Sequence, residues 1–138
     1  LRAQGTEALL GAFYPPIVAR RAHVAMAELV DNVTQNISDP ECRITVRLTL
    51  RGETLRVRTS NAATIEQSER VRAVLARLGA ADEPLEVLRD TLRERRRMRL
   101  KGGLGLLRLV AENKFRLSAS HEGGRLEVSA ELDLGGLS

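Results

Sequence analysis

Apolar residues recur along this chain in two rhythms, one helical and one extended. Val18, Ala22, Ala25, Met26, Leu29, Val30, Val33 and Ile37 fall at three- and four-residue steps. That is the period of one helical face, so the spacing predicts an amphipathic helix ending near Ile37. Pro15 and Pro16 precede it, and proline is tolerated in a first helical turn. Ser38, Asp39 and Pro40 stop it. Residues 6–13, ahead of the prolines, read as a short helix or an extended lead-in.

The rhythm then changes to two. From Arg43 to Leu50 the chain alternates, with Ile44, Val46, Leu48 and Leu50 on one side. Arg51-Gly52-Glu53 reads as a turn, and Leu55 and Val57 continue the alternation. This predicts a β-hairpin with one buried and one wet face. A second helix is expected over 64–78, with Ile65, Val71, Val74, Leu75 and Leu78 as its stripe and Gly79 as a C-terminal cap. A third starts near Pro84 with Leu85, Val87, Leu88 and Leu92. Gly102 and Gly103 interrupt it, and a fourth runs from Leu104 to Asn113. Phe115–Ala119 and Leu126–Leu132 form a closing hairpin around a turn at His121–Gly124. Strand pairs separated by helices predict an α+β fold. The expected form is a two-layer α/β sandwich, a mainly antiparallel sheet covered on one face by helices.

Length supports a single domain over 1–138, since the chain has 138 residues. Hydrophobic residues make up 43% and aromatics only 2%. The core must therefore be aliphatic, and stacking on single-stranded nucleic acid is disfavoured. The net charge of +4 is concentrated locally. Arg89, Arg93, Arg95, Arg96, Arg97, Arg99 and Lys101 stand against Asp90 and Glu94 in one short run. A solvated helix face is the first reading of this run, and a phosphate-covering lid the second. Nucleic-acid binding comes third, because no recognised binding motif accompanies the charge. Cys42 stands alone, so no disulfide forms within the chain. His23, His121 and one cysteine do not make a metal site. No apolar run approaches the ~20 residues needed to span a bilayer. The N-terminal stretch lacks a signal peptide's layout, so a cytoplasmic location is expected.

Two segments carry candidate chemistry. In Glu28-Leu29-Val30-Asp31-Asn32-Val33-Thr34-Gln35-Asn36, Glu28 and Asn32 stack on one helical face beside the apolar stripe. An Asn oxygen there can hold Mg²⁺, which takes hard oxygen ligands. A Glu can accept the proton of an attacking hydroxyl or water. Polar residues four apart also occur on any solvated helix. In Lys101-Gly102-Gly103-Leu104-Gly105-Leu106, glycines precede an apolar helix. Glycine lets a backbone approach phosphates, and a helix N-terminus offers free N–H groups. A flexible helix–helix turn would look the same.

Together the two segments resemble the GHKL ATP-binding superfamily, which includes gyrase-type topoisomerases, MutL, histidine kinases and anti-sigma-factor serine kinases. That family carries E-L-x-x-N on a helix and later a G-x-G-L-G-L turn opening another. Where it also carries D-x-G after the middle strands, this chain reads Thr59-Ser60-Asn61-Ala62-Ala63. Asn61 then stands in the position that reads the adenine amino group. The pattern is similar to small stand-alone protein kinases of the SiaB type. The resemblance implies a Bergerat-like fold and the cofactors Mg²⁺ and ATP. It implies Glu28 as general base and Asn32 as magnesium ligand. It places Asn36 and Asn61 in the nucleotide site, with the Gly102, Gly103, Leu104, Gly105 and Leu106 backbone around the phosphates. Lys101, with Arg99, would neutralise developing charge. The implied activity is Ser/Thr phosphorylation of a small antagonist-type partner in a partner-switching signalling pathway, with homodimers common among such regulators. A GHKL-like fold that has lost catalysis and acts as a protein-interaction module is the alternative. A basic nucleic-acid-binding domain ranks third.

Overall fold

The computed structural model describes residues 16–37, 41–80, 82–98 and 104–136. The 6–13 segment, the Ser38–Pro40 stop signal and residues 99–103 lie outside the described residues. Helix α1 spans Pro16–Asn36, β1 Thr45–Arg51, β2 Thr54–Ala62, α2 Ile65–Ala80, α3 Pro84–Met98, α4 Leu104–Ala111, β3 Arg116–Glu122 and β4 Arg125–Asp133. A short 3₁₀ turn, Leu134–Gly136, follows β4. The four strands make one sheet in the order β1-β2-β4-β3, antiparallel throughout. The helices cover one face, giving the α+β two-layer sandwich expected.

Strand parity builds the core. Leu55 and Val57 of β2 and Leu126, Val128, Ala130 and Leu132 of β4 turn toward the helices and are buried. They meet Ala22, Ala25 and Leu29 of α1, Val71 of α2, Leu106 and Leu109 of α4, and Phe115. Alanines on α1 let its axis approach α4 and β2 closely, and Ala19, Ala22 and Ala25 are at most 1% exposed. A second cluster joins Leu78 of α2, Leu88 of α3, and Leu107 and Ala111 of α4. Helix α3 therefore rides on α4 and α2.

Local chemistry fixes the element ends. Thr64 and Gln67 form a reciprocal capping box at the start of α2. Gln67 N–H donates to Thr64 Oγ1 (3.1 Å), and Thr64 N–H donates to Gln67 Oε1 (2.8 Å). At the end of α4, Lys114 takes the left-handed conformation at φ 63°. Asn113 N–H donates back to the Arg108 carbonyl (3.1 Å), the kind of closure that satisfies orphan carbonyls. The helix accordingly stops at Ala111, two residues before the expected Asn113. Gly123 and Gly124, at φ 59° and 73°, form the two-residue β3–β4 turn.

Three expectations need correction. His121 belongs to β3 rather than to the turn, because the glycine pair alone makes the reversal. Its Nε2 hydrogen-bonds with the Ala63 carbonyl (2.9 Å). Gly79 lies inside α2, which continues to Ala80, and its φ is not left-handed. Ile65 sits at the first helical position and is 66% exposed, so it leaves the apolar stripe.

Candidate functional site

Helix α1 presents its polar side to the first turn of α4. Glu28, Asp31, Asn32 and Gln35 line a cleft of about 30 Å³ whose far wall is Gly105 and Leu106. Spacings of three and four residues put these groups on one face of α1. The apolar face beside them, Leu29 and Val33, is anchored in the core. The cleft is thus held between two packed helices rather than on loops.

Glu28 lies against Gly105 across the cleft. A Cβ at position 105 would lie 3.2 Å from Glu28 Cδ and nearer still to Oε2. Any side chain there would push the carboxylate aside. The atom met is the free end of the Glu28 side chain, as it is for Glu53 at Gly135, so a substitution at 105 moves the carboxylate rather than the backbone.

Burial raises the Glu28 carboxyl above its ordinary value of 4.5, and the nearby charges of Asp31 and Glu112 push the same way. Arg108 opposes them. A carboxylate with raised proton affinity is a better base near neutral pH. Asn32 is half-buried, and its Nδ2 has no hydrogen-bond partner among the described residues. Rotation of the carboxamide offers an oxygen at the same place. Glu28, Asp31, Asn32 and Gln35 together supply hard oxygen donors of the kind magnesium takes. Among the described residues no group of three His, Cys, Asp or Glu side chains could hold a metal. One or two protein ligands suffice for Mg²⁺ when substrate phosphates complete its shell.

The other expected residues divide. Leu106 lines the cleft and is buried in the core. Leu104 packs against the α2–α3–α4 cluster. Asn36 does not face the cleft; its Nδ2 donates to the Gln67 carbonyl (3.1 Å) and ties α1 to α2. Lys101, Gly102 and Gly103, with Arg99, lie outside the described residues. Asn61 is fully buried on the helix-facing side of β2. Its Nδ2 donates to the Ala62 carbonyl (3.0 Å), and its buried Oδ1 has no hydrogen-bond partner among the described residues.

Two more buried polar groups were missing from the sequence reading. Thr59 and Ser68 are fully buried, and their hydroxyl oxygens have no hydrogen-bond partner among the described residues. The parity Leu55, Val57, Thr59, Asn61 was visible and would have placed Thr59 and Asn61 inside. Asp31, which helps line the cleft, lay within the helical motif without an assigned role.

A larger concavity lies elsewhere. It is a groove of about 500 Å³ on the uncovered face of the sheet, lined by Arg47, Thr49, Arg51, Thr54, Arg56 and Arg58. Its walls carry no candidate base or hydrophobic contact for a small-molecule ring. Among the described residues no helix is long and apolar enough to cross a membrane. Scanning the chain against models of known protein families gives no match, and no curated protein matches it either.

Proposed function

We propose that this chain is an ATP-binding signalling regulator that holds Mg-ATP against the face of α1 carrying Glu28 and Asn32. The observation that carries the reading is the junction of that face with Gly105, where an added Cβ would meet the Glu28 carboxylate. Asn61 is fully buried and does not line that cleft, so an adenine-reading role for it rests on the resemblance alone.

The proposed activity is phosphoryl transfer from ATP to a Ser or Thr hydroxyl of a small partner protein. Glu28 accepts the hydroxyl proton as the oxygen bonds to the γ-phosphorus, and ADP leaves with the bridging oxygen. Asn32 is the candidate ligand for Mg²⁺, which when bound neutralises phosphate charge. The free N–H groups at the start of α4 and the cation Lys101 would serve the same electrostatic end. A cytoplasmic location accords with the use of ATP. The second reading, an interaction module that has lost catalysis, is favoured by Asn61 standing where the family carries Asp.

Calorimetric titration of ATP with Mg²⁺ tests the site. Wild type should bind, and Asn32→Ala should lose the magnesium-dependent part, roughly 10- to 100-fold in affinity. An absence of heat at millimolar ATP would sink the nucleotide reading for this chain.

A further inference from the structure

We propose that the outer edge of β1, which no described strand pairs, takes an extended acidic segment of a partner protein as a further strand, with its carboxylates on Arg47 and Arg51. This surface is separate from the cleft between α1 and α4, and the inference does not depend on the nucleotide reading.

Strand β1 ends the sheet, so its outer row of N–H and C=O groups is unpaired by any other described strand. Its two faces are incomplete in different ways. On the helix side Val46, Leu48 and Leu50 are only half-buried, because α1 packs over β2 and α2 over β3. On the open side Arg47 and Arg51 are exposed. No described carboxylate lies in ion-pair distance of either. The neighbouring arginines are engaged instead, Arg56 with Glu131 and Arg58 with Glu127 (3.8 Å).

The register sharpens the point. Arg47 sits directly across from Arg58, and like charges in that relation are destabilising. Arg58 Nε is buried without a hydrogen-bond partner. An anion placed beside Arg47 relieves the repulsion. A strand paired to β1 sets alternate side chains about 5 Å from Arg47, Thr49 and Arg51. Glutamates at those positions meet the arginine forks, and apolar residues between them cover Val46, Leu48 and Leu50. The groove of about 500 Å³ over the same arginines gives the carboxylates room.

Charge selects this occupant over two others. A second copy pairing through β1 brings no carboxylate, since Thr45–Arg51 contains none. A nucleic acid finds no aromatic ring among the described residues of this face to stack on, and Glu127 and Glu131 of β4 border the basic strip on its inner side.

Fluorescence anisotropy with a labelled peptide of alternating glutamate and valine, long enough to span β1, tests the proposal. Binding is expected, weakening as salt rises from about 50 to about 500 mM. The double variant Arg47→Glu, Arg51→Glu should lose roughly tenfold or more, because rim charges on both sides then repel. Its far-ultraviolet spectrum should be unchanged, since both side chains are exposed. Hydrogen exchange should slow at alternate β1 amides in the wild-type complex, which charge attraction alone does not produce. Equal binding by the variant, by a lysine–valine peptide or by oligothymidylate would overturn the proposal. So would a wild-type dimer in sedimentation that Arg47→Glu dissociates, since the edge would then belong to a second copy.

Discussion

At the scale of single residues, Glu28 is held where its charge is disfavoured. Burial comes first among the causes, then the negative neighbours Asp31 and Glu112. Between the ordinary value of 4.5 and the raised one, the folded chain binds more protons at Glu28 than the unfolded chain does. Stability from this group is therefore fully present below 4.5 and is lost as pH rises through the raised value. Glu28→Gln removes the charge at constant shape. It should melt at a higher temperature than wild type at neutral pH, and the difference should vanish below the ordinary carboxylate range; calorimetric melts across pH check the sign. Gly105→Ala reports on the same contact. Alanine gains up to about 1 kcal/mol of helix propensity over glycine, yet its Cβ displaces the Glu28 carboxylate. We expect thermal stability to hold or rise while magnesium-dependent ATP heats fall. A variant that binds Mg-ATP as wild type does would remove Gly105 from the site. That Glu28 and Asn32 share one helix face was legible because helical spacing speaks directly about position. The role of Asn36 was not, because its direction depends on where α2 begins.

At the scale of elements, the ends are set by side chains that the hydrophobic rhythm does not register. The rhythm found the four helices and both hairpins, since burial imposes it on every packed face. It misjudged Gly79, His121 and Asn113, where capping and turn geometry decide. The Thr64–Gln67 capping box sits at such an end. Thr64→Ala should cost about 1 kcal/mol, the usual loss for an N-cap hydroxyl. Denaturant unfolding should show a lower midpoint at unchanged slope. A change in slope would mean that the α1–α2 contact, which Asn36 makes through the Gln67 carbonyl, had loosened the native state as well.

At the scale of the whole molecule, the sheet divides its labour between faces. One face is an aliphatic core, and the other is polar throughout and rich in arginine along β1 and β2. Into the apolar side the chain sets Thr59, Asn61 and Ser68, each fully buried and each with a polar atom that has no hydrogen-bond partner among the described residues. A buried polar atom without a partner costs about 1–3 kcal/mol. Such groups serve either the fold itself or a polar ligand. The two cases differ in what an apolar replacement does. Thr59→Val keeps shape and removes only the hydroxyl. If the hydroxyl serves a ligand, the variant should gain about 1 kcal/mol of stability in the absence of nucleotide, or roughly 3 °C in melting temperature for a chain of this size. The stabilisation that wild type gains from saturating Mg-ATP should shrink in the same variant, because ligand binding adds to stability only through the folded state. A loss of stability without nucleotide would show that the hydroxyl is already satisfied within the fold, and the polar residues on the core face would then be structural.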